Sequence, residues 1–154
     1  MPIKLIYFNK TSKEYEIIND FYLKKIKLFD QIDLIEIKEL DFGNIKDNMN
    51  KNEYNISERI SKLKDYDIYL LDISSKQVDS LNFAEIIRNN FSLKSGKLCF
   101  IIGPSDGFSD NFKKNYKNKI SFGKITLAHQ LIRVVLLEQI YRAFKIINNQ
   151  KYHK

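Results

Sequence analysis

Apolar residues fall along this chain in two rhythms that take turns. "IKLIYF" at residues 3–8 is a short apolar run rich in strand formers. Ile17, Ile18, Phe21, Tyr22, Ile26 and Phe29 then recur at helical spacing, with Lys24, Lys25 and Lys27 between them, and Thr11 and Ser12 stand where a helix cap belongs. "IDLIEIKEL" at 32–40 alternates apolar with polar, as a half-buried strand does. Residues 41–52 are polar, contain Gly43 and several Asn, and read as a loop, after which Ile56, Ile60 and Leu63 mark a short helix. "YDIYLLDI" at 66–73 is the next strand, "SSKQVDS" a loop, and Ser80 the expected cap of a helix carrying Leu81, Ala84, Ile87 and Phe91. "KLCFII" is a fourth strand and residues 109–116 a weak helix. "KISFGK" at 119–124 is a fifth short strand, and residues 127–147 form the last helix before the tail "NNQKYHK".

Strand and helix thus alternate five times, without repeats or linker. The expectation is one α/β domain over residues 1–154, built on a mostly parallel sheet with helices on both faces. In open α/β sheets ligands lie beyond the C-terminal strand edges. Three segments then share one rim: "LLD" at 70–72, "GPSDG" at 103–107 and "FGKITL" at 122–127. The glycines of "GPSDG" make neither a P-loop, since no Gly-Lys-Ser/Thr follows, nor the dinucleotide fingerprint, since its third glycine is missing. Gly123 interrupts a strand end, where backbone groups can approach a ligand closely. Two glycine-bearing rims around an apolar floor suit a flat heterocycle read by backbone groups; a plain strand-to-helix turn is the alternative.

The last helix holds fourteen apolar residues out of the 21 from 127 to 147, which surround most of it. One face packs on the sheet, and the excess predicts a second burial, most simply against another copy of the chain. Glu138 and Arg142 stand at i and i+4 in the favourable order for an ion pair. Arg133 lies near the helix start, above the "FGKITL" rim, where it is either a contact for phosphate or carboxylate or a solvated surface residue. His129 by position reads first as a capping or packing residue. In the tail, Tyr152 and His153 offer an aromatic face and a titratable group beside Lys151 and Lys154, a combination suited to stacking on RNA bases.

Charge adds one point. Lys and Arg number 26 against 19 Asp and Glu, a net +7 that favours polyanions, and the excess is spread along the chain, so folding must assemble any binding surface. The single cysteine, Cys99, sits inside an apolar run and reads as an inert packing thiol; it allows neither a disulfide framework nor a multi-cysteine metal site. Arg133, Glu138 and Arg142 argue against a membrane span at 127–147. The first residues turn polar too soon for a signal peptide, and a cytoplasmic setting follows.

"IIGPSDGFS", "KISFGKITLAHQLIRVVLLEQIYRAFKI" and the terminal "YHK", together with "YLLDISSKQVDSLNFA", resemble the RlmH-type large-subunit rRNA methyltransferases of the SPOUT class. The resemblance covers the whole chain and is densest from Leu98 onward. It implies methylation of N3 of a pseudouridine in 23S rRNA, in the large subunit or whole ribosome, by a homodimer using S-adenosylmethionine and no metal. It also implies a C-terminal trefoil knot whose loops bind the methyl donor. Carried over by position, the donor site would comprise Leu71, Gly103, Phe122, Gly123, Lys124, Ile125, Thr126 and Leu127. Tyr152 and His153 would close on the substrate base over the partner subunit's donor site, with His153 as candidate base and Arg133 as a further catalytic candidate. Arg142, Lys151, Lys154 and His129 would meet RNA. Two departures stand out: Pro104 where the family usually has a second glycine, which removes a backbone donor, and Ser75-Lys76 in place of Gly-Lys. A non-catalytic RNA-binding protein of the same fold, or a flavodoxin-like nucleotide or flavin binder, are the competing readings.

Overall fold

Period-two alternation within the strands decides the architecture. In β1 (Ile3–Phe8), Ile3, Leu5 and Tyr7 join one buried cluster while Ile6 and Phe8 join another, on the opposite side of the sheet. β4 (Leu98–Ile102) divides in the same way: Leu98, Phe100 and Ile102 face one cluster, Cys99 and Ile101 the other, and all five are buried. Strands covered on both faces read as continuous apolar runs, as parallel strands do. A computed structural model describes residues 3–154, so the first two residues of the N-terminal stretch lie outside it. With β2 (Ile32–Ile37), β3 (Asp67–Leu71) and β5 (Lys119–Ile120), these strands form a five-stranded sheet in the order β2-β1-β4-β3-β5. Every pairing is parallel, with registers that set Leu5 opposite Leu34 and Phe100, and Leu71 opposite Ile102 and Ile120.

Three helices, α1 (Lys13–Ile26), α3 (Ser80–Lys94) and α5 (His129–Ile147), cover one face through Ile26, Phe83, Ile87, Leu136, Ile140 and Phe144. The other face carries α2 (Ile45–Ile60) and α4 (Asp110–Lys114), anchored by Ile56 and Phe112. Cys99 lies fully inside, and burial pushes its thiol up to about 12, so it is inert at neutral pH.

Several expectations change, each for a local reason. The polar run read as a loop is a helix from Ile45 onward, with only residues 38–44 irregular. Asn44 caps it by accepting the Asp47 amide at 2.8 Å. Its Asn residues turn inward and serve the preceding loop: Asn52 accepts from the Leu40 amide at 2.9 Å and donates to the Leu40 carbonyl at 3.1 Å, and Asn48 accepts from the Phe42 amide at 2.6 Å. Burial here is polar, so apolar periodicity could not reveal it. The cap of α3 is Asp79, in a reciprocal box with Asn82, and Ser80 instead donates to Gln139 of α5 at 2.7 Å. Ser12 caps α1 without a side-chain bond, its own amide donating to Gln130 at 2.7 Å.

The apolar periodicity of α1 does not all point inward: Ile17 is 74% and Phe21 55% exposed. Conversely, the second burial expected for α5 is found within the chain, because α1 and α3 both pack against it. The strands are shorter than the apolar runs, β2 ending at Ile37 and β3 at Leu71. β5 spans two residues, with a further bridge from Ser121 to Gln77, and α5 begins at His129.

Asn52→Ala leaves the Leu40 amide and carbonyl without their partner in a nearly closed site. It is expected to cost about 1–3 kcal/mol of folding stability, read by urea denaturation monitored by circular dichroism.

Candidate functional site

β3, β4 and β5 end side by side at Leu71, Ile102 and Ile120, and the chain leaves each of them around one cavity of about 620 Å³. Its floor is apolar: Leu71, Ile102, Ile120, Phe122 and Ile132. Its walls are residues 103–108, which leave β4, and residues 121–127, which leave β5, with Asp72 and Ile73 on the third side and His129 at the start of α5. The size and the mix of apolar floor and few polar groups suit a small organic ligand.

The loop leaving β4 is folded back on itself. A Cβ at Gly103 would lie 3.0–3.1 Å from the Phe108 ring, so glycine is what allows that ring to close over the strand end. Phe108 in turn stacks on Phe112, with centroids 5.5 Å apart. Pro104 lacks an N–H but its carbonyl accepts from the Gly107 amide at 2.9 Å, a turn that Gly107 completes at φ +75°. In the other wall Gly123 sits at φ +138°, open to glycine alone, while the Ser121 hydroxyl accepts from the Gly123 amide at 3.1 Å and donates to the Gly123 carbonyl at 2.8 Å. Ile125, on the rim, is 80% exposed.

Asp72 carries the strongest local charge pattern. Burial raises its pKa, but hydrogen bonds from Ser75 and Ser74 and the Lys113 ammonium at 3.4 Å outweigh that and hold the carboxyl below the usual carboxylate range. Ser75, which stands where a glycine was expected, thus shapes its turn through Asp72: its amide donates to the Asp72 carbonyl at 2.9 Å. His129 has its pKa lowered from 6.5, first by burial and then by the Arg133 charge, with Glu39 opposing.

The structure therefore brings together Leu71, Gly103, Phe122, Gly123, Lys124, Ile125, Thr126 and Leu127, and adds His129 to them. Arg133 is placed elsewhere. It is 2% exposed, donates to the Phe8 carbonyl and to the Thr11 hydroxyl, and lies with its guanidinium 4.3 Å from the Tyr7 ring. Its side chain ties α5 to the end of β1 rather than standing above the cavity rim, and burial lowers its pKa. The tail residues are also absent from the lining of the cavity. Tyr152 packs edge-on against Tyr141 at 4.8 Å and donates to Glu138 at 3.1 Å, and burial and the Glu138 carboxylate push its hydroxyl up to about 12. Arg142 pairs with Glu138 at 2.6 Å, covers the Tyr152 ring at 4.6 Å and lies 3.2 Å from His153 Nδ1. A guanidinium only donates, so Nδ1 accepts and the His153 proton sits on Nε2. Lys151 and Lys154 are exposed beside them.

Sequence reasoning missed Phe108 and Ile132 in the lining, and it missed Glu39 just past β2 and Asn48 and Glu53 of α2, which reach the loop leaving β4. No local signal marks those groups, because their role exists only once the sheet has formed. Among the described residues no group of three His, Cys, Asp or Glu could hold a metal ion, and no helix is long and apolar enough to cross a membrane.

Residues 1–153 match the family model described as "Predicted SPOUT methyltransferase". The ribosomal RNA large subunit methyltransferase H of Mycoplasma mycoides subsp. mycoides SC is 44% identical over the full length of both chains. That of Mesoplasma florum is 46% identical, again over the full length of both, and that of Thermosipho melanesiensis 37% over 99% of each. A probable methylase family protein from Haemophilus influenzae Rd KW20 shares the fold, with a TM-score of 0.50 over 96% of this chain and 66% of that one, at 13% identity.

The depressed His129 pKa has a definite sign. Below about pH 6.5 the unfolded chain takes up a proton that the folded site resists, so folding stability rises with pH through that range and levels off above it. Denaturation midpoints should fall on going from pH 7.5 to 5 or so by more in the parent than in His129→Gln, which lacks this titration.

Proposed function

The chain belongs to the SPOUT methyltransferase family, and on that premise we propose that it transfers the methyl group of S-adenosylmethionine to N3 of a pseudouridine in 23S rRNA, as a homodimer. It would do so within the large subunit or whole ribosome, with residues 1–154 as one methyltransferase domain whose C-terminal part carries the family's knot. The observation that carries this reading is the convergence of three strand-end segments on one cavity with an apolar floor. The fit to the donor is chemical. Leu71, Ile102 and Phe122 offer surface to a heterocycle, Gly103 and Gly123 let backbone groups come close, and Asp72 and Asp106 set carboxylates beside a ligand that carries cationic groups.

When bound, S-adenosylmethionine supplies an electrophilic methyl group on a sulfonium. The protein's task is then alignment, because the transfer is an in-line displacement at carbon and gains most from fixed geometry. The walls at 103–108 and 121–127 hold the ligand and exclude water. His129, kept largely neutral at physiological pH by burial, borders the cavity from its own protomer. The N3–H of the target base must also lose its proton, and a positioned base is worth roughly 10²–10⁴-fold. His153 is the tail's candidate, taking the proton on Nδ1 once Arg142 turns from that atom to RNA phosphate; Lys151 and Lys154 also meet phosphate, and Tyr152 donates a hydrogen bond.

Arg142 stands thirteen residues beyond His129 on α5, a separation of about 20 Å along the helix. The tail cluster therefore serves a cavity other than its own, which is what supports the dimer. The exposed Ile17 and Phe21 of α1 lie next to that cluster: Phe21 contacts Tyr22, Tyr22 faces Tyr141, and Tyr152 rests on Tyr141. An apolar face of this kind beside a set of RNA-binding groups suits a second subunit. Arg133 acts in this reading as a brace between α5 and β1.

Ribosomes from cells lacking the protein, incubated with it and methyl-labelled donor, should incorporate label at a pseudouridine of 23S rRNA. Donor binding without label would move the target to another RNA, and neither would favour a non-catalytic RNA binder. His153→Ala should lower turnover by tenfold or more at unchanged donor affinity. A mixture of His153→Ala with a cavity variant, Gly103→Ala, should regain activity beyond either alone if the tail works across subunits.

A further inference from the structure

The wall of the cavity that leaves β4 is held from outside by three side chains from the N-terminal half. Glu39, just past β2, accepts from the Ser105 amide at 2.9 Å. Asn48 of α2 approaches Asp106 at 3.4 Å while its carbonyl oxygen holds the Phe42 amide. Glu53 of α2 takes both bonds that Ser109 can give, from the amide at 2.6 Å and from the hydroxyl at 2.7 Å. Ser109 is also the cap of α4, its oxygen accepting from the Phe112 amide at 3.2 Å.

Glu53 is the anomaly. It is 8% exposed, and no cation within ion-pair distance faces it among the described residues. Removing a carboxylate from water without a countercharge is unfavourable unless hydrogen bonds replace the solvent. An apolar residue would suit the neighbouring Ile56 and Phe112 equally well for packing alone. What the carboxylate does and an apolar residue would not is fix the far end of the 103–109 loop. With Glu39 at the near end, it fixes a wall whose own amides are short by one, since Pro104 has none.

We propose that Glu53 is a positioning residue for methyl-donor binding, with Glu39 as its partner at the other end of the loop. Together they pre-order the loop so that the ligand does not have to. This rests on reading the cavity as the donor site. A loop already ordered loses less conformational freedom on binding, so the effect falls on donor affinity rather than on RNA affinity. Through Ser109 the same carboxylate steadies α4, whose Lys113 reaches Asp72 on the third side of the cavity, so that side depends on it as well.

The test is calorimetric titration of S-adenosylmethionine into the parent chain, Glu53→Ala, Glu53→Gln and Glu39→Ala, with RNA binding measured on the same samples without donor. Glu53→Ala should weaken donor binding by about tenfold or more, Glu53→Gln by less because its amide oxygen can still accept one bond, and Glu39→Ala by a few-fold. RNA affinity should stay at the parent value, and the KM for donor should rise more than kcat falls. Glu39 lies at the surface, so its variant keeps the proposal testable if Glu53→Ala does not fold. Donor binding at parental strength in Glu39→Ala and a folded Glu53 variant would overturn the proposal. So would equal losses of donor and RNA binding, which mark general unfolding. No donor binding by the parent chain would instead overturn the donor-site reading itself.

Discussion

The loop that leaves the central strand has to satisfy its backbone beside an apolar cavity, and much of the molecule is arranged around that constraint. β4 is buried on both faces and paired on both edges, so its exit cannot simply turn out into water. Buried amides need partners. Partners come from residues more than fifty positions earlier, Glu39 just past β2 and Glu53 on α2, and from the loop's own turn at Pro104 and Gly107. The polar interior of α2 follows from the same demand. A helix with an Asn-rich inner face packs poorly on a sheet, but it suits two irregular loops whose amides it can fill.

The opposite face of the sheet solves a different problem. There α5 packs against α1 and α3, and most of its apolar residues meet neighbours of its own chain, Leu131 being left exposed. Arg133 enters this layer as a polar brace, its guanidinium directed at the carbonyl end of β1 and the face of Tyr7. Such a buried arginine is tolerated because a carbonyl, a hydroxyl and an aromatic face share its charge. Exposed apolar residues remain on α1, where Phe21 lies beside the Tyr141–Tyr152–Arg142 cluster, and also on α3 and α5. The exposed Phe21 and the tail cluster are thus neighbours, while the cavity lies at the other end of α5.

This division gives the two ends of one helix different tasks. At its start, His129 borders the cavity and is half-buried, and burial favours its neutral form. At its end, Glu138, Arg142, Tyr152 and His153 are linked by hydrogen bonds into a partly exposed cluster. Solvent and mutual pairing keep these charges cheap there.

The sequence by itself determined the alternation of strand and helix, the parallel sheet and the three segments that meet at the cavity, because apolar periodicity and glycine placement are local signals. It also marked the Glu138–Arg142 pair, whose spacing along one helix suffices to define it. The tertiary structure alone decided that residues 45–52 are helical, since their burial is polar and depends on loops they meet only after folding. It alone decided the direction of Arg133 as well, because a helix position says which turn a side chain belongs to but not which neighbour fills the space before it. And only the assembled sheet brings Glu39 and Glu53 to the loop at residues 103–109, a contact between distant stretches that no pattern within either one encodes.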